Sequence, residues 1–347
     1  MIEHTNAFCV HLTAMRTSRI KVPSTERASV YHCMTRTVNG AFLLDDVAKE
    51  TLRKQLWLVA DFCGVQILTY ALLSNHFHVL VRVPKASEVS NEELLRRYSV
   101  LYPKPTRFQQ ARLEVIAAWL QSGDPEGEAW RKRQLALMGD VSQFMKLLKQ
   151  RFSVWFNRTH NRYGTLWAER FKSVLVEGQG KILETMAAYI DLNAVRAGLV
   201  SDPKDYRFCG YGEAVSGGVK AQAGLRLLLA SEENTPAWNQ AQADYRLTLF
   251  GVGSGARPGE GTVSAAELQE VVKAKGHLPR ATVLRHRIRH FTDGAVIGSK
   301  TFVTEHLAAY RERTGRRRGS TPKPLPAFTD WGGDFATLRG LRRQTTG

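Results

Sequence analysis

The eight residues His76–Val83, HFHVLVRV, constrain this chain more than any other stretch. In a strand, alternate side chains point to opposite faces. Phe77, Val79, Val81 and Val83 make one side wholly apolar, and that side must be covered by a core layer. His76, His78, Leu80 and Arg82 make the other, so both histidines point away from that layer. The run stops at Pro84, and Ser74-Asn75 separates it from the β-rich run Val65–Leu73. Two such runs across so short a turn form an antiparallel hairpin.

Similar punctuation organises the rest. Ala28 to Thr37 (ASVYHCMTRT) reads as a strand before the turn signal Asn39-Gly40. Asp45 or Asp46 caps a helix whose Ala48, Leu52, Leu56, Val59, Ala60 and Cys63 recur at helical spacing, and Gly64 ends it. Lys85 to Met138 is charged and broken by Pro103, Pro105 and Pro125, so it reads as an insertion. It carries a short helical piece with a capping box at Ser90 and Glu93. Asp140 caps a second helix with Val141, Phe144, Met145, Leu148, Phe152 and Trp155 on its apolar face. Thr165 to Val176 reads as a strand, and Lys181 to Ala197 as a third helix closed by Gly198.

The order strand, helix, strand, strand, helix, strand predicts an α+β fold, a ferredoxin-like βαββαβ sandwich with a helical insertion. The expected organisation has five parts: a basic lead-in over 1–27, a core domain over 28–212 with the insertion at 85–138, a linker over 213–235, a helical basic C-terminal region over 236–315, and a flexible basic tail over 316–347.

The formal net charge of +17 favours an anionic partner, nucleic acid first and an acidic membrane second. A merely basic soluble protein is the alternative. No apolar run is long enough to cross a bilayer, and the N-terminus lacks the pattern of a secretory signal. The four cysteines, Cys9, Cys33, Cys63 and Cys209, have neither C-x-x-C nor zinc-finger spacing, which predicts a reduced, cytoplasmic chain.

Two local patterns bear on chemistry. Neutral imidazole is a common ligand for divalent metals, so His76 and His78 on one strand face make half of a metal site. Arg82 shares that face and could help hold an anion. Two ordinary surface or core histidines would give the same pattern. On the third helix, Tyr189 and Asn193 are four residues apart and so are neighbours on one face. Asn193 offers an amide oxygen to a hard cation, and Tyr189 offers a phenol able to attack phosphorus. Both also fit one edge of an ordinary amphipathic helix, with Ile182 and Met186.

Taken together the motifs are more specific. The run LTYALLSNHFHVLVRVP resembles the His-hydrophobic-His signature of the HUH single-strand nucleases. Downstream, FNRTHNRYGTLWAERFKSVLVE followed by YIDLNAVRAGLVSDPKDYRF resembles the second half of the single-tyrosine insertion-sequence transposase domain. The chain is most similar to the REP-associated tyrosine transposases, over roughly Val30 to Tyr211 without the insertion.

The resemblance implies a metal-dependent single-strand DNA endonuclease and strand transferase acting on hairpin DNA, with Mg²⁺ or Mn²⁺ as cofactor. It implies that His76 and His78 are metal ligands and that Asn193 supplies the third. Several relatives outside that branch carry a glutamine one turn after the tyrosine, and others a proline where this chain has Ala194. Tyr189 would be the nucleophile, staying linked to the 5′-phosphate while a 3′-hydroxyl is released. Single-tyrosine relatives can share the tyrosine helix between subunits, so a monomer or a homodimer is expected, nucleoid-associated in a bacterium.

Arg36, Arg170 and Lys172, near the ends or faces of expected strands, could contact phosphates alongside Arg82, or be solvated surface charges. Trp167 or Phe171 could stack on bases, or pack in the core. In the C-terminal region, SAAELQEVVKAKG and SKTFVTEHLAAYRERTG read as helices around the basic residues Lys273, Lys275, Arg280, Arg285, Arg287, Arg289 and Lys300, which could form a helix-turn-helix-like DNA reader, a solvated basic surface or a dimerisation element. Two rivals remain at this point: a non-catalytic, domesticated DNA-binding regulator, and a His-ligated hydrolase of small phosphates.

Overall fold

The first strand, β1 (Ser29–Arg36), runs into a tight turn in which Asn39 and Gly40 take positive φ of 56° and 67°. The computed structural model describes residues 19–103, 106–231, 234–250, 290–314, 321–324 and 335–338. Helix α1 (Asp46–Cys63) begins where Asp45 accepts a 2.8 Å hydrogen bond from the Ala48 N–H. It ends at Gly64, which is left-handed at φ 64° and donates back to Ala60 and Asp61. The hairpin follows as β2 (Gln66–Leu72) and β3 (His76–Val83).

Strand β3 pairs antiparallel with both β2 and β1, and β4 (Lys172–Val176) pairs antiparallel with the other edge of β1. The strand order is therefore β2-β3-β1-β4 over this part of the sheet. Phe77, Val79 and Val81 are fully buried on one face. Each such side chain stabilises the fold by about 1.5–3 kcal/mol. Trp57 of α1 meets Tyr70 of β2 on that face, and Phe152 of α5 (Val141–Thr159) meets Trp167, which in turn meets Phe77. Helix α6 (Gly180–Asp191) lies on the opposite, histidine-bearing face. The molecule is thus a mixed α+β structure with both sheet faces covered.

Several expectations change in detail. The insertion folds as three helices rather than one, α2 (Asn91–Leu101), α3 (Arg107–Ser122) and α4 (Pro125–Leu135). They enclose a small core of their own, Leu94, Ile116, Leu120 and Trp130. At the start of α2, Ser90 accepts from the Glu93 N–H, but the Glu93 carboxylate pairs with Arg96 and Arg97 instead of reaching back. The reciprocal capping box forms at Thr106 and Gln109.

The strand expected over Thr165 to Val176 is regular only from Lys172. Upstream of it, Leu166 and Trp167 turn into the core, and only a Thr37–Trp167 bridge joins this stretch to the sheet. The third helix is interrupted at Leu192 and resumes as α7 (Asn193–Arg196).

The segment expected as a linker, 213–235, holds the end of α8 (Gly210–Val215) and all of α9 (Val219–Leu228). Ala221, Leu225 and Leu228 of α9 are buried in the main core, where apolar side chains at helical spacing gain more by packing than by solvation. Helix α10 (Trp238–Phe250) follows, and its Tyr245 packs on Tyr211 of α8.

After the short helix α11 (His290–Asp293), strand β5 (Val296–Ser299) joins the sheet parallel to β4. Helix α12 (Lys300–Thr314) covers the helical pattern expected there, and with β6 (Lys323–Pro324) and β7 (Phe335–Leu338) the described residues form a seven-stranded sheet in the order β2-β3-β1-β4-β5-β7-β6. The C-terminal region is therefore not helical throughout. Its first expected helix, its basic residues from Lys273 to Arg289, residues 1–18 of the lead-in, and Arg316, Arg317 and Arg318 of the tail lie outside the described residues. No helix among the described residues is long and apolar enough to cross a membrane.

Candidate active site

Alternation along β3 puts His76 and His78 on one face, and backbone pairing sets Arg36 opposite His76 and Met34 opposite His78. Directly opposed residues share a face, so β1 contributes His32, Met34 and Arg36 to the histidine side. The His76 and His78 rings are edge-on to one another with centroids 5.2 Å apart. His78 is nearly buried, and His76 sits half-buried at the strand's start.

The partners of His76 decide its chemistry. Its Nδ1 lies 2.6 Å from Asn75 Oδ1, while Asn75 Nδ2 donates to the Gly40 carbonyl at 3.0 Å. The carbonyl identifies the nitrogen of the Asn75 amide, so Oδ1 accepts and His76 Nδ1 donates. A neutral His76 then has its lone pair on Nε2. His78 is engaged at Nδ1 as well, 2.8 Å from His32 Nε2.

Helix α6 brings Tyr189 to these rings, with its centroid 6.4 Å from that of His78 and 6.3 Å from that of His32. Asn193 follows at the break after Leu192. Its NH₂ group donates to the carbonyls of Tyr189 and Ile190 at 3.2 and 3.0 Å. The amide orientation is therefore set, and Oδ1 is the half that can meet a cation. Arg196, one turn further, lies over the tyrosine ring at 4.1 Å and donates to the Tyr189 carbonyl at 2.5 Å. Burial pushes its guanidinium down to about 10, against the pull of Tyr189, so it remains a cation at neutral pH.

His76, His78, Tyr189, Asn193 and Arg196 line one cleft of about 390 Å³, together with Arg36, Arg170 and Lys172. Glu169, paired with Lys172 at 2.8 Å, is the only carboxylate of that lining among the described residues. Four cations against one carboxylate make the cleft attractive to phosphate.

The same lining bears on a metal. No group of three or more His, Cys, Asp and Glu among the described residues is arranged to hold an ion. Two imidazoles and the Asn193 amide oxygen are donors present at the cleft, and the Glu169 carboxylate belongs to the same lining. Such a nitrogen and oxygen set, completed by water or substrate oxygens, is of the kind a divalent cation takes.

Of the expected site residues, Arg82 stands apart. It is four residues beyond His78, ~13 Å along the strand, and donates to Gln66 Oε1 at 2.7 Å. It does not line the cleft. Trp167 and Phe171 are core side chains: Trp167 packs between Phe77 and Phe152, and the Arg19 guanidinium covers Phe171 at 3.6 Å.

Three residues of the site have no counterpart in the motif reading: His32, Arg196 and Phe291. Arg196 was within reach, since it is seven residues from Tyr189 and two helical turns bring it to the same face. His32 requires the β1–β3 register, and Phe291 requires the path of the C-terminal chain.

No family model and no curated protein matches the chain. Among solved structures, a REP-associated tyrosine transposase bound to a REP hairpin is similar over 61% of this chain and 90% of that chain, at 14% identity and a TM-score of 0.32. A likeness of that degree decides nothing about the chemistry of this chain.

Proposed function

We propose that this chain is a metal-dependent single-strand DNA endonuclease and strand transferase, a tyrosine transposase of the kind its motifs resemble, acting on hairpin DNA. The observation that carries the reading is the shared cleft: Tyr189, both histidines and Asn193 line one cavity whose wall also holds Arg36, Arg170, Lys172 and Arg196. The antiparallel order β2-β3-β1-β4, with α1 and α5 on one face and α6 on the other, supports the ferredoxin-like reading of the core.

The residues divide the work as follows. Arg36, Arg170 and Lys172 hold the DNA backbone at the cleft mouth. Tyr189 Oη attacks the scissile phosphorus as its phenol proton leaves. The bond from phosphorus to the 3′-oxygen breaks, the 3′-oxygen takes up a proton, and the 5′-phosphate stays on the tyrosine. A 3′-hydroxyl attacking that phosphotyrosine reverses the exchange and joins strands. Arg196, against the tyrosine ring, is placed to hold the charge that develops on the phosphate. Mg²⁺ or Mn²⁺ held by His76, His78 and Asn193 would polarise the phosphate oxygens and neutralise that charge.

The test is a labelled hairpin-containing single strand incubated with Mn²⁺, followed by denaturing electrophoresis. Cleavage with a covalent protein–DNA adduct is expected, and Tyr189→Phe abolishes both. A Tyr189→Phe protein that still cleaves or still forms the adduct overturns the reading.

A second reading, a non-catalytic DNA-binding regulator, is favoured by one observation. Tyr189 is only 2% exposed, packed against Phe291 at 4.9 Å and covered by Arg196. Hairpin binding without cleavage under any divalent metal selects it.

A further inference from the structure

Phe291 reaches the histidines from a distant part of the chain. Its carbonyl oxygen lies 2.9 Å from His32 Nδ1, and His32 Nε2 lies 2.8 Å from His78 Nδ1. A carbonyl oxygen can only accept, so the proton of the first contact sits on His32 Nδ1. His32 is fully buried, which favours a neutral ring. A neutral ring protonated at Nδ1 has an acceptor at Nε2, so His78 donates from its own Nδ1. A neutral His78 protonated there carries its lone pair on Nε2.

We infer that His32 is a positioning residue which, held by the Phe291 carbonyl, sets the tautomer of His78 and makes Nε2 its metal-ligating nitrogen. The inference rests on the proposal above that His76 and His78 are metal ligands. The reverse polarity, with His32 donating to His78 Nδ1, would put the His78 proton on Nε2 and close that atom to a cation. The two rings stack with centroids 5.0 Å apart and planes 24° apart, so the contact also fixes the direction in which His78 Nε2 points. His76 receives the same service from Asn75, a neighbour in sequence. His78 receives it from a residue on another strand and, through that residue, from the C-terminal region. A partner that orients a metal-bound imidazole through its second nitrogen raises metal affinity without touching the ion.

Two measurements on the full-length chain test this. Long-range ¹H–¹⁵N spectra of metal-free protein labelled at histidine read each ring's tautomer, with His78→Ala assigning the signals. Nδ1-protonated rings at His32 and His78 are expected. An Nε2-protonated His78 overturns the inference whatever the metal does.

Mn²⁺ titrations without DNA, followed by electron paramagnetic resonance of the free ion, then compare two variants. His32→Gln keeps an acceptor for the His78 N–H and binds Mn²⁺ close to wild type. His32→Phe keeps the bulk without the acceptor and binds about 10- to 100-fold more weakly. Equal Mn²⁺ affinity in wild type and a folded His32→Phe protein overturns the inference and leaves the metal site standing. Wild type that binds no Mn²⁺ overturns the metal-site reading instead, and the tautomer spectra still judge His32. Should His32→Phe not fold, those spectra and His32→Gln decide.

Discussion

The guanidinium of Arg196 lies 4.1 Å over the ring of Tyr189, and its Nη2 donates to the carbonyl of the same residue. One arginine therefore both packs the proposed nucleophile and sets a positive charge beside it. Replacing it separates binding from chemistry. Arg196→Ala is expected to lower the cleavage rate on the order of 10²-fold, the usual cost of removing a preorganised charge-stabilising donor. Hairpin affinity should fall much less, because Arg36, Arg170 and Lys172 also face the cleft. Single-turnover cleavage beside a binding titration measures both, and equal losses in the two would remove the assigned role.

Tyr189 faces the histidines of its own chain, with 6.4 Å between its ring centroid and that of His78. A site complete within one chain cannot be restored by a second chain that lacks the other half. Mixing His76→Ala protein with Tyr189→Phe protein should therefore leave cleavage at the level of either variant alone. Recovered activity in the mixture would show that subunits share the site.

Asp191, the last residue of the tyrosine helix, is fully buried and accepts hydrogen bonds from Thr69, Tyr245 and the Tyr211 N–H. Burial raises its carboxyl from 3.8 to about 6, and these donors, with the Cys209 thiol, only partly offset that rise. Between pH ~4 and ~6 the folded chain then holds a proton that the unfolded chain has released, so stability falls as pH rises through this window. A shift of that size corresponds to roughly 3 kcal/mol lost above pH 6 relative to pH 4. Asp191→Asn cannot release a proton there, so its urea-unfolding free energy should lack this descent. Parallel pH profiles for wild type and variant would remove Asp191 as the cause.

Gly224 lies where helix α9 meets the irregular stretch of β2, between Ile67 and Thr69. A β-carbon there would collide with the Ile67 carbonyl oxygen and come within 2.9 Å of the Leu68 oxygen, and backbone cannot rotate aside as a side chain can. Gly224→Ala should destabilise the fold by about 1–3 kcal/mol, as overpacking does. A melting temperature equal to wild type would show that α9 can move off the sheet at little cost.

Local elements were legible where one side-chain period and one capping residue sufficed. Asp45 and Gly64 bound α1 as their chemistry dictates, and the alternation of β3 separates Phe77, Val79 and Val81 from the histidines. Within each pair, His76 with His78 and Tyr189 with Asn193, period alone aligns the members on one face; that the two pairs line one cleft is a result of the tertiary structure. The insertion was less legible. Leu94, Ile116, Leu120 and Trp130 are too widely spaced along the chain for local periodicity to show that they meet.

What the chain determines by itself is which residues can lie on one face of an element, since that follows from covalent geometry. Which faces meet was decided only by the tertiary structure. The β1–β3 register turned His32, a single histidine in β1, into a neighbour of His78. The sheet's extension through β5 brought the Phe291 carbonyl to that histidine across 259 residues of sequence. Such contacts depend on how the whole chain shares out its buried surface and pairs its backbone groups, and no local period records that outcome.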